Sequence, residues 1–130
     1  MILERLVLKN FRQFKGQQEI VFSDIQDRNV TIVHAENGFG KTTLLKALLW
    51  GFYGRDGLMG TDGKPDDFEM PDRIIHEGMA HRATDPNALT AMVQIAFKHD
   101  ADRYILSRQL TLAQQNLNPK QTELTLEVMR

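Results

Sequence analysis

Eight consecutive residues constrain this chain more than any other part of it. They are Ala35-Glu36-Asn37-Gly38-Phe39-Gly40-Lys41-Thr42, set between a β-branched run and a long apolar one. Val30-Thr31-Ile32-Val33 has the composition of a buried strand. Leu44 to Tyr53 is apolar almost all round, so a helix is predicted from Lys41 to about Tyr53, covered on most sides. Gly38 and Gly40 permit backbone conformations closed to other residues and let successive N–H groups converge on an anion. The eight residues spell A-x-x-x-x-G-K-T, one position away from the phosphate-binding pattern G-x-x-x-x-G-K-[ST]. Ala35 stands where that pattern has its first glycine, and is small enough for a tight turn.

The strand before the motif and the helix after it are the context a P-loop requires. Lys41 would place a fixed positive charge against the β- and γ-phosphates of ATP, and the Thr42 hydroxyl is a hard oxygen donor suited to Mg²⁺. The helix would turn its unpaired N–H groups and positive dipole end toward the phosphates. No Asp or Glu lies between Lys41 and Arg55, so a bound phosphate would supply the charge that the first turn lacks. The expected nucleotide-binding set is Ala35, Glu36, Asn37, Gly38, Phe39, Gly40, Lys41, Thr42 and Thr43. Lys41 is the catalytic candidate and Thr42 the metal ligand.

With 130 residues the chain fits a single domain. Sixteen basic and 17 acidic residues give a net charge of −1, which excludes a strongly cationic nucleic-acid binder but leaves room for a local basic patch. Residues 1–15 are such a patch, with Arg5, Lys9, Arg12 and Lys15 against Glu4 alone. The absence of cysteine excludes a disulfide scaffold, a Cys-ligated zinc and a Cys nucleophile. No apolar run is long enough to suggest a membrane span, and the N-terminus does not read as a signal peptide, so a cytoplasmic α/β domain is expected.

Leu6 and Leu8 alternate with neighbours up to Lys9 and predict a first strand; Glu19 to Phe22 predicts its return, with a turn over Asn10–Gly16. Residues 54–72 hold Gly54, Gly57, Gly60, Gly63, Pro65, Pro71 and six acidic residues, the composition of a mobile loop. A single helical turn is expected at Arg73–His76. Leu89–Phe97, Tyr104–Leu106 and Thr122–Val128 predict a β-meander, with His99-Asp100-Ala101-Asp102 turning between the first two strands.

Leu8-Lys9-Asn10-Phe11-Arg12-Gln13-Phe14, ahead of Asn37-Gly38-Phe39-Gly40-Lys41-Thr42-Thr43-Leu44-Leu45, resembles the start of an SMC-type ABC ATPase head. That group includes the chromosome-structuring SMC proteins, double-strand-break repair ATPases, RecF and RecN, and DndD-like defence ATPases. Ala47 to Gly54 is similar to the group's A-L-x-x-x-L-Y-G helix end, and Asp72 to Gly78 to its D-x-I-x-x-G element. Val93-x-Ile95-x-Phe97 with Tyr104-Ile105-Leu106-Ser107-Arg108 resembles its paired strands. The resemblance implies a P-loop NTPase fold, the N-terminal lobe of an ABC-type head. Such a lobe has an N-terminal β-hairpin, a P-loop helix and an antiparallel β-meander. It implies ATP and Mg²⁺ as cofactors, Arg12 as a phosphate contact, and Lys9 or Asn10 as its neighbour.

Heads of this kind complete their site with a glutamine loop, an S-G-G signature, a hydrophobic strand ending in Asp-Glu and a switch histidine, none of which the sequence contains. Residues 1–130 are therefore expected to form one lobe of a longer protein, and to hydrolyse little ATP alone. The implied partners are the C-terminal lobe of the same head, a second head in a homodimer, and DNA held through its phosphates. Coiled-coil arms would separate the two lobes, and the implied roles are DNA repair, chromosome organisation or antiviral defence. Two other readings stay open: a nucleotide-binding module of another phosphotransfer enzyme, and a structural lobe that binds ATP without turning it over. The β-hairpin ahead of the P-loop counts against a small-molecule kinase.

Other segments carry less. His76 and His81 are five apart, which on a helix separates them by about 140°, not the one-face spacing of a zinc helix. Asp62 to Asp67 contains Pro65 and lacks EF-hand alternation. Trp50 and Phe52 read as core, and Arg55 as a surface arginine or a DNA or dimer contact.

Overall fold

The structure is a computed structural model that describes residues 1–12, 14–22, 30–32, 34, 41–54, 90–112 and 119–129. Five strands and one helix are laid out in it. The strands are β1 (Ile2–Phe11), β2 (Phe14–Val21), β3 (Thr90–His99), β4 (Asp102–Leu112) and β5 (Pro119–Met129); the helix is α1 (Lys41–Tyr53). They form one antiparallel sheet in the order β2-β1-β3-β4-β5, so the first hairpin lies beside the meander. The helix bounds match the expectation from the apolar run. The expected loop over 54–72 and the expected turn at 73–76 lie outside the described residues, apart from Gly54.

One face of the sheet is apolar and carries the helix. Leu6, Leu8 and Phe11 from β1, Ala91, Val93 and Ile95 from β3, and Leu106 and Leu110 from β4 are buried with Ala47 and Trp50 of α1. Strict alternation would put Leu6 and Phe11 on opposite faces. The parity changes at Asn10, which has φ +50 and where the β1–β2 register shifts between Lys9 and Phe11. A second shift falls at Glu4, which lets Leu3 pack on the same cluster. The two irregularities bring Leu3, Leu6, Leu8 and Phe11 of β1 onto one side, while Val7 is buried outside that cluster.

The hairpin turn is tighter than the sequence suggests. Phe11 pairs with Phe14, so the chain reverses between them rather than over Asn10–Gly16. Between β3 and β4, His99 pairs with Asp102 and Asp100 takes φ +55, the expected two-residue turn.

The β-branched run before the motif departs from expectation. Val30, Thr31 and Ile32 belong to no strand, and Val30 and Ile32 are 74% and 71% exposed. Strand preference expresses side-chain packing against neighbouring strands, and these residues are not part of the five-stranded sheet.

The helix approaches β3 closely. A Cβ built on Gly51 would stand 2.6 Å from Ile95 Cδ1 and 3.0 Å from Val93 Cγ1, so only glycine fits without repacking. Gly51→Val should destabilise the fold by about 1–3 kcal/mol through overpacking. Urea denaturation measures this, and an unchanged midpoint would place the helix further from β3.

Candidate functional site

Helix α1 opens at Lys41, so the last two residues of the motif, Lys41 and Thr42, form its start. Thr42 is exposed on the first turn and Thr43 is buried. The first turn has no acidic residue. An exposed hydroxyl at the start of a helix whose first turn carries no carboxylate is a donor set that fits an Mg²⁺-bound phosphate. Ala35, Glu36, Asn37, Gly38, Phe39 and Gly40 lie outside the described residues, as does the Lys41 side chain.

Arg12 stands at the tip of the first hairpin with φ +52 and is half-buried. Its position is held by Asn10, which is buried at 6% exposure. The Gly16 N–H donates to Asn10 Oδ1 at 2.9 Å, and Asn10 Nδ2 donates to the Thr90 carbonyl at 3.4 Å. One amide therefore joins β1 to β2 and β3 beside the turn. Asn10, two residues before Arg12 in the chain, turns its side chain into the protein. Its left-handed φ, tolerated by Asn better than by most residues, and the left-handed Gly16 at φ +71 make the bulge possible. A buried asparagine ahead of an aromatic residue and an arginine is the signal that sequence reasoning underused.

The basic patch is only partly free. Arg5 Nε lies 3.1 Å from Glu19 Oε1, while Glu4 is drawn to Arg103 at 3.5 Å. Lys9 is exposed; the Lys15 side chain and Arg55 lie outside the described residues. Trp50 is buried against Phe11, with ring centres 5.8 Å apart, and Phe52 packs edge-on to Phe97 at 5.5 Å. Both are core residues. Among the described residues no cluster of His, Cys, Asp and Glu could hold a metal, and no helix is long and apolar enough to cross a membrane.

At its other end the helix meets Arg108 of β4, whose Nε donates to the Gly51 carbonyl at 3.2 Å. Burial lowers the pKa of this guanidinium below its ordinary value. Sequence reasoning placed Arg108 in a strand motif without a role.

Asn10→Ala should cost about 1–3 kcal/mol, because the Gly16 N–H and Thr90 carbonyl lose their partner. Asn10→Asp keeps the acceptor for Gly16 but sets a carboxylate against a carbonyl, so it should be destabilising too. Thermal unfolding of both variants checks this, and a wild-type Tm for Asn10→Ala would remove Asn10 as the pin of the hairpin.

Comparison with known proteins fits these features. A family model described as an AAA domain matches residues 5–130. No curated protein matches the chain. Among solved structures, the SMC head domain from Thermotoga maritima matches with a TM-score of 0.59 and 25% identity. The match covers 100% of this chain and 39% of that one, so the chain spans well under half of the head domain it resembles. The β-hairpin, P-loop helix and meander are thus those of a P-loop NTPase, and the chain belongs to the AAA domain family, built as the N-terminal part of an SMC-type ATPase head.

Proposed function

We propose that this chain is the ATP-binding N-terminal lobe of an SMC-like ATPase, in which ATP-driven meeting of two heads and hydrolysis drive DNA processing, repair or defence against phage. The observation that carries the reading is helix α1. It opens at Gly-Lys-Thr with no first-turn carboxylate, and it lies on an antiparallel sheet like that of an SMC head. ATP and Mg²⁺ are the cofactors. Gly38, Gly40 and their neighbours from Ala35 to Thr43 cradle the phosphates, Lys41 neutralises the β- and γ-oxygens, Thr42 ligates the metal, and Arg12 reaches the phosphates from the hairpin tip. The protein acts in the cytoplasm.

The lobe is completed by the C-terminal lobe of the same head, and two such heads form a homodimer. Exposed Val30 and Ile32 beside the motif, with exposed Leu45 and Tyr53 on the outer side of α1, offer apolar surface that a second lobe would cover. DNA is held through its phosphates by basic side chains such as Lys9, Lys15 and Arg55, without base recognition. The one described helix has buried and half-buried apolar residues along its length and offers no recognition surface.

Lys41→Ala should abolish ATP binding and leave the fold intact, and Thr42→Ala should weaken its Mg²⁺ dependence. Titration calorimetry with and without Mg²⁺ checks both; equal affinity in the Lys41 variant would end the P-loop reading. Lys15→Glu and Arg55→Glu should each weaken DNA binding by the complete protein across unrelated sequences, with a steep salt dependence, while sparing ATP. If neither charge reversal changes DNA affinity, this surface is not the contact.

A further inference from the structure

We propose that Arg108 is a positioning residue that fixes helix α1 on the sheet and thereby sets the phosphate site at the helix's opposite end. The proposal rests on the reading of that site given above. Arg108 stands on β4, opposite Val93 of β3 and Leu124 of β5. The Gly51 carbonyl it binds at 3.2 Å is among the last four of the helix, which have no partner within the helix itself. The guanidinium carbon lies 6.0 Å from the centre of the Trp50 ring, within reach of the ring's negative face. A Cβ built on Gly54 would come within 2.9 Å of Arg108 Nη1, and Gly54 has φ +65. The left-handed φ favours glycine there, and a side chain at 54 would push against the tip of the arginine. The last turn of α1 contains no basic residue, so Arg108 brings from the sheet the positive charge that its negative dipole end favours.

Leverage turns this contact into a positioning role. Lys41 is ten residues from Gly51, about 15 Å along the helix, so a tilt of about 10° at Gly51 moves it by about 2.6 Å. Displacements of that size are large for groups that must meet phosphate oxygens. Trp50 joins the same contact to Phe11 of β1, one residue before Arg12. Arg108 thus holds the helix at the place where the hairpin that presents Arg12 also touches it.

The test compares wild type with Arg108→Gln, Arg108→Lys, Gly54→Ala and Lys41→Ala in the complete protein. It measures ATP affinity by calorimetry and the rise in Tm at a fixed ATP concentration. Arg108→Gln should weaken ATP binding by about tenfold, within the usual range of coupling between sites, and the ATP-induced rise in Tm should shrink accordingly. Arg108→Lys, which retains a cation and a donor, should recover part of the affinity. Gly54→Ala disturbs the same contact independently and should also weaken ATP, and the pair of changes should be less than additive. Should Arg108→Gln fail to fold, Gly54→Ala carries the test alone. A lower Tm without ATP, together with wild-type ATP affinity in both Arg108→Gln and Gly54→Ala, would make Arg108 a stability residue only and overturn the proposal. ATP binding that survives Lys41→Ala would overturn the phosphate-site reading itself, whereas loss of binding there beside unchanged affinity in both Arg108→Gln and Gly54→Ala would overturn this inference alone.

Discussion

The close approach of helix α1 to strand β3 at Gly51 is the contact on which the rest of the arrangement depends. With no side chain at Gly51, Ile95 and Val93 lie where its Cβ would otherwise stand, and Ala47, one turn earlier, is fully buried against the same face. Small residues at i and i+4 let the helix sink onto the sheet. Trp50 then fills the space beside this seam, reaching Phe11 on β1 and lying under Arg108 of β4. A single turn of helix therefore touches three neighbouring strands. The aromatic sequence Phe52, Phe97 and Tyr104 continues the packing, with Phe97 and Tyr104 stacked at 5.2 Å.

Much of this was legible in the sequence, and the parts that were not share a cause. The helix was legible because an apolar run opened by Gly-Lys-Thr and closed by Tyr-Gly has one sensible reading. The meander was legible because Val93, Ile95 and Phe97 alternate with smaller or polar residues, and the tetrad from His99 to Asp102 suits a tight turn. The bulges at Glu4 and Asn10 were hidden, since each breaks the alternation on which strand reading relies. Asn10, Arg12 and Asp100 take positive φ without being glycine, and only the hydrogen bonds of Asn10 to Gly16 and Thr90 explain why the first of them does. The role of Arg108 was hidden as well, because its partner is a backbone carbonyl 57 positions away.

The run at Val30 and Ile32 teaches the opposite lesson. Its composition asks for burial on both sides, yet both side chains are largely exposed. Sequence composition reports the surroundings that a segment is suited to, and strand propensity is a statement about neighbours rather than about the backbone alone. The same holds for the outer side of α1, where Leu45 and Tyr53 are exposed although the helix is apolar nearly all round. Both observations agree with a chain that spans 39% of the head domain it matches.

The charges at the two ends of α1 follow from one rule. A helix carries partial positive charge at its start and partial negative charge at its end, and proteins commonly offset both with local side chains. This helix does neither: its first turn has no acid and its last turn no base. At the far end a residue distant in sequence, Arg108, supplies the cation through a hydrogen bond to Gly51. At the near end a carboxylate would serve the helix equally well, but it would repel the anion that a Gly-Lys-Thr turn is built to receive. On the proposed function, stability there would come from the ligand, so the omission of an acid from the first turn would favour phosphate binding. Fixing the opposite end through the sheet, by the hydrogen bond from Arg108 to Gly51, would hold that terminus in position for such a ligand.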